Sequence, residues 1–184
     1  KGYLTFAAYD FFKNIRNIDV KITGVDGKKD LIGLCNDISE SSEFENLKFV
    51  HGWIGDFEVE NVDVLIALHA CNTATDDAIF KGIKAEADLI VVAPCCHQEI
   101  RPQMKSPEMF SNVLKHGIML EREAELITDG LRSLLLEKFG YSTRIFEFIA
   151  TEHTPKNNMI VGTKQSKNAD SKKFEEEINS IKDF

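Results

Sequence analysis

The apolar positions of this chain change their period repeatedly. Leu4, Ala7, Ala8, Phe11 and Ile15 recur at helical spacing and predict a helix over 3–16. Val20–Asp26 reads as a strand that ends on an acid, and Leu31, Leu34, Cys35 and Ile38 mark a second helix. A short strand begins at Phe49–Val50. Val62–Leu68 is almost continuously apolar, which predicts a strand buried on both faces. Ala74, Ala78, Ile79 and Ile83 predict a helix capped by Thr73. Asp88–Ala93 is the most apolar strand, and Pro94 ends it. A short helix is expected over 107–115. A long one follows from Leu120 to Phe139, with Ala124, Ile127, Leu131 and Leu135 on one face and Gly140 as its stop. Thr143–Ala150 and Met159–Thr163 read as two closing strands joined by a polar loop, an antiparallel hairpin.

Strands alternating with helices predict an α/β fold with a mostly parallel sheet covered by helices on both faces, the hairpin being added at one edge. One domain is expected over 1–164. A charged tail follows over 165–184, with Phe174, Ile178 and Ile181 at helical spacing.

Composition narrows the possibilities. The chain has 184 residues, 43% hydrophobic and 28% charged, enough for one sizeable core. No apolar run approaches the ~20 residues of a membrane helix, and no signal peptide is visible, so a cytoplasmic setting is expected. The net charge of −8 argues against unaided nucleic-acid binding, which phosphate neutralisation dominates. The spacing of Cys35, Cys71, Cys95 and Cys96 suggests thiols in a reducing compartment rather than a disulfide framework.

Ligands of open α/β sheets sit beyond the carboxyl ends of the strands, and three such ends here carry chemistry. Asp26 closes the first predicted strand. Its two oxygens match two vicinal ribose hydroxyls, although a solvated turn Asp beside Gly27 explains it as well. The second end runs from Ala67 to Asp77 through His69 and Cys71. Helix capping accounts for Thr73, Asp76 and Asp77 but not for His69 or Cys71. The third is Ala93–Gln98, with Cys95, Cys96 and His97. The Cys and His residues of these last two ends suit a soft metal by type, but their spacing matches no common metal motif and no metal is assigned. Trp53, in the stretch Gly52–Trp53–Ile54, offers a flat ring for an adenine or, more commonly, a partly buried core aromatic.

At these residues the sequence resembles the S-adenosylmethionine (SAM)-dependent methyltransferases. The opening Lys1–Phe6 is similar to the end of their glycine-rich loop. LHACNTATDDAI, VVAPCCHQ and EHTPKNNMIVG resemble a branch with a Cys-Cys-His signature, related to the tRNA 2′-O-methyltransferases. The resemblance covers about 1–164 and implies a Rossmann-like three-layer sandwich. It makes Gly2 the last glycine of the loop and Asp26 the ribose acid, with Gly52, Trp53, Ile54 and His69 against the cofactor. It also places the start of the chain inside the loop, so that the family's first strand is missing and the sheet is interrupted at its middle. The implied cofactor is SAM.

The implied reaction is methyl transfer, with His69, Cys71, Cys95, Cys96 and His97 on the acceptor side and His69 or His97 as general base. The acceptor is RNA, protein or a small molecule, and the resemblance leans towards RNA. A non-catalytic binding module with this fold is the alternative from another class, and a metal-thiolate protein is a third.

Overall fold

A computed structural model describes residues 2–70, 73–97, 99–104, 108–150, 154, 156–166 and 171–182. The chain divides into two compact units, residues 1–57 and 58–184.

The first unit is a strand–helix–strand arrangement preceded by a helix. Helix α1 (Tyr3–Asp10) continues into a π-helical turn, Phe11–Ile15, so the expected helix over 3–16 forms with a change of winding. Strand β1 (Ile22–Asp26), helix α2 (Lys29–Ser41) and strand β2 (Leu47–His51) follow. β1 and β2 pair in parallel, from Ile22 opposite Leu47 to Asp26 opposite His51, with α2 as the crossover a parallel pair requires. Two side chains of α2 fasten it to β2. Asn36 exchanges two hydrogen bonds with the backbone of Phe49, at 2.9 and 2.8 Å, and Ser39 Oγ donates to Leu47 O at 2.8 Å. Tyr9, Cys35, Leu47 and Phe49 form the core.

The second unit holds β3 (Val64–Leu68), α3 (Thr73–Lys84), β4 (Leu89–Ala93), α4 (Ser111–Leu114), α5 (Gly117–Lys138), β5 (Tyr141–Glu147), β6 (Asn158–Lys164) and α6 (Ser171–Lys182). Its sheet has the order β3-β4-β6-β5. β3 and β4 are parallel, and β6 runs antiparallel to both β4 and β5, as the hairpin pattern predicts. Among the described residues the strands form two hydrogen-bonded sheets, one in each unit. Gly140, at φ 88°, ends α5 in the left-handed region, and its N–H donates to Glu137 O at 3.0 Å. α6 packs on α5. Among the described residues no helix is long and apolar enough to cross a membrane.

Two expectations need correction. β3 is not buried on both faces: Leu65 is 7% exposed, whereas Val64, Ile66 and Leu68 are 38%, 44% and 36% exposed. The cause is topological. Leu65 pairs with Ile90, and Gly82 of α3 lies over Ile90, close enough that a β-carbon would meet its Cδ1 at 2.7 Å. β3 is also the outer strand of its sheet. In α5 the buried stripe is Ala124, Asp129, Arg132 and Leu136, while Leu135 is exposed. The stripe is therefore rotated from the one that hydrophobicity alone selects, because two charged residues sit on its inward face.

Candidate functional site

In the first unit, the carboxyl ends of β1 and β2 are tied together. Gly52 N–H donates to Asp26 O at 3.1 Å, and His51 Nε2 donates to Gly27 O at 3.1 Å. Asp26 Oδ1 accepts from Lys28 N–H at 2.9 Å, which fixes the carboxylate at the strand end. Trp53 is 69% exposed, so the core-aromatic reading is wrong. Its ring lies across Gly27, where a β-carbon would meet Trp53 Cη2 at 2.9 Å. The fixed backbone of the two strand ends thus presents a carboxylate and a flat aromatic face beside one another. Ile54 follows, half-buried. Gly2 stands before α1 at φ 71°, and a β-carbon there would meet Cys35 Sγ and Phe49 Cε1, each at 3.1 Å. Only glycine suits both the angle and the space.

In the second unit, His69 ends β3 with φ 56°, a conformation uncommon for a residue with a side chain and often found at functional positions. Its N–H donates to Ala93 O at 2.8 Å, and its imidazole is exposed. Phe148 meets that ring at a centroid distance of 6.4 Å and an interplanar angle of 62°. Cys71 and Gln98 lie outside the described residues. Cys95 and Cys96 are half-buried with their Sγ atoms 3.6 Å apart, well beyond the ~2.05 Å of a disulfide between them.

His97 has a different setting. It is 3% exposed, and its Nε2 donates to Asp129 Oδ1 at 3.1 Å. Its Nδ1 is buried with no hydrogen-bond partner among the described residues. Asp129 Oδ1 also accepts from Arg132 Nη1 at 3.1 Å. Arg132 in turn grips Asp76 with a two-pronged contact, Nε to Oδ1 at 2.8 Å and Nη2 to Oδ2 at 3.0 Å. Burial pulls the Arg132 pKa down, but the hydrogen bond and charge of Asp76, joined by Asp129, outweigh it and hold the guanidinium above its ordinary value. Asp76 is therefore more than a helix-start acid: it anchors α3 to α5. A cavity of about 380 Å³ opens beside this network, walled by Cys96, His97, Leu131, Arg132, Ile178 and Lys182.

Sequence reasoning found the strand ends but missed Asp129, Arg132 and Phe148. Asp129 and Arg132 left a readable trace, since they share a helical face with Leu136 at spacings of three and four. Among the described residues no group of three or more His, Cys, Asp or Glu side chains is placed to hold a metal.

A strand–helix–strand unit with a left-handed glycine before its first helix and a carboxylate closing its first strand belongs to the class of nucleotide-cofactor α/β folds. The family profile described as "Methyltransferase domain" matches residues 1–103, and the chain belongs to that family. The match takes in Gly2, Asp26, Trp53, His69 and the Cys95–Cys96–His97 sequence.

Curated relatives include the glutathione S-transferase C-terminal domain-containing proteins of Homo sapiens, 31% identical over 121 residues, and of Bos taurus, 30% identical over 121 residues. Each alignment covers 53% of this chain and 19% of the relative, so the chain spans about a fifth of those proteins. Among solved structures, the Methanococcus jannaschii fibrillarin pre-rRNA processing protein is 17% identical, with a TM-score of 0.47, over 80% of this chain and 57% of its own. PigF with SAH is 17% identical, with a TM-score of 0.47, over 89% and 53%.

Proposed function

We propose that this chain is a SAM-dependent methyltransferase domain that holds its cofactor at the joined ends of β1 and β2. The observation behind this reading is the pairing of Asp26 with the exposed Trp53 ring at the joined ends of β1 and β2. SAM suits that donor set. The Asp26 carboxylate accepts from two vicinal ribose hydroxyls, the Trp53 face takes the adenine, and Gly2 makes the left-handed turn into α1 that fits against Cys35 and Phe49. Gly52 and Ile54 complete the strand-end loop.

When bound, SAM supplies an electrophilic methyl group on a sulfonium. The remaining work is positioning and proton removal. Of the two histidines considered as base, His69 is the better placed, because it is exposed whereas both His97 ring nitrogens are buried. His69 removes a proton from the acceptor hydroxyl or amine. Cys95 and Cys96 border the acceptor, and His97 holds their loop to α5 through Asp129. RNA is the acceptor class favoured by the family resemblance, presented by another segment or partner because the net charge of −8 opposes unaided binding.

The test is transfer of a tritiated methyl group from SAM to extracted RNA, protein and small-molecule fractions. Incorporation that is lost in His69→Gln supports the reading. Incorporation equal in wild type and His69→Gln rejects His69 as the base, and no incorporation into any fraction rejects the activity.

A further inference from the structure

The acceptor side of the second unit contains an exposed aromatic corner. Phe148 follows β5, His69 follows β3, and both lie at the carboxyl edge of the same sheet. Their rings stand at 62° rather than face to face, and both residues keep exposed surface, Phe148 being 38% exposed. The backbone under Phe148 is fixed. Its N–H donates to Asn157 O at 3.0 Å, and the 2%-exposed Asn157 donates from Nδ2 to Ile149 O at 2.7 Å. A buried asparagine therefore clamps the loop that carries Phe148 and the 40%-exposed Ile149. Two ring planes meeting at this angle select shape: a flat ring laid on Phe148 brings its rim, and whatever group the rim carries, towards His69.

We propose that Phe148 and His69 are the two walls of the acceptor subsite, and that the acceptor is a planar aromatic or heteroaromatic ring with an O–H or N–H on its rim. Phe148 stacks the ring and His69 takes the rim proton. Asn157 is a positioning residue that holds Phe148 in place. This inference rests on the methyltransferase reading for its chemistry, but not for its binding geometry.

The test is ligand-observed saturation-transfer NMR on the whole chain. The probes are catechol, cytidine and uridine as planar rings, cis-1,2-cyclohexanediol as the saturated control, and single-stranded hexauridine. The planar probes are expected to receive saturation and the diol not. Phe148→Ala should weaken planar-probe binding at least five-fold, and Phe148→Trp should restore it, which a merely structural role would not do. Hexauridine binding more tightly than uridine assigns the ring to a nucleic-acid base. Catechol binding more tightly than either nucleoside assigns it to a free small molecule, and both outcomes support the subsite. Equal binding of diol and planar probes overturns it, as does unchanged planar-probe binding in Phe148→Ala, which would include rings stacked elsewhere, on Trp53 for example. SAM affinity measured on the same samples separates the two claims. Phe148-dependent ring binding without SAM binding keeps the subsite and rejects the cofactor reading.

Discussion

The indole of Trp53 lies across Gly27, one residue past Asp26, so closely that no β-carbon fits between them without moving the ring. Trp53 is the sole tryptophan of the chain, which makes the contact directly observable. Titration with S-adenosylhomocysteine is expected to quench its fluorescence as an adenine stacks on the exposed ring. Gly27→Val should displace the ring and weaken binding about tenfold, equivalent to ~1.4 kcal/mol. Saturable binding with unaltered Trp53 emission would place the adenine elsewhere.

The buried network of the second unit makes a stability prediction. Asp129→Ala leaves the buried His97 Nε2 without its acceptor and takes one of the two carboxylate partners from Arg132, which keeps Asp76. The cost should be about 1–3 kcal/mol, as for a buried donor left unsatisfied. Adding His97→Phe to Asp129→Ala should cost less than the sum of the two single changes, because the second change removes the stranded donor. Urea denaturation measures both. A loss below about 1 kcal/mol for Asp129→Ala would mean that the network does not hold α5 to its neighbours.

Tyr141 predicts an alkaline limb. Its buried hydroxyl donates to Ala87 O at 2.9 Å, and burial, then the charges of Glu86 and Asp88, raise its pKa above the ordinary 10.0. A phenol raised in the folded state contributes stability that is intact below pH 10.0 and lost as pH climbs through the raised value. Tyr141→Phe should cost about 1–3 kcal/mol at neutral pH, by stranding the Ala87 carbonyl. It should also flatten the stability decline above pH 10. An unchanged decline in the variant would assign it to other groups.

The periodic elements of this fold were legible from their spacing even where burial does not follow it: Leu4, Phe11 and Ile15 mark the helix over 3–16, yet they are 48%, 44% and 67% exposed. β4 reads as a buried strand and is one, with Ile90 and Val92 fully buried. The sequence misled where burial depends on neighbours rather than on composition. Val62–Leu68 has the composition of a two-sided strand, but its place at the sheet edge opens one face. Trp53 has the composition of a core residue, but the loop between β2 and β3 carries it outward. Asp26 and His69 stood out in the sequence because they close strands, where open α/β sheets gather ligand chemistry. Asp129 and Arg132 were not singled out, since a charged pair three apart on a helix reads as solvated until a buried histidine from another element meets it.

The two histidines should separate in kinetics and stability. With an identified acceptor, His69→Gln is expected to lower kcat by about 10²–10⁴ and leave the melting temperature unchanged, since the side chain is exposed. His97→Gln should lower the melting temperature by several degrees through its lost bond to Asp129. Melting curves and initial rates on both variants decide this. The reverse pattern would make His97 the base and His69 a structural residue.

Isothermal titration of SAM into the wild-type chain and into Asp26→Ala tests the central claim most directly. The account predicts one saturable site in the wild type and at least tenfold weaker binding in Asp26→Ala, with the fold retained by circular dichroism although the turn bond to Lys28 N–H is lost. Equal affinity in the two proteins, or no SAM binding by the wild type, would contradict it.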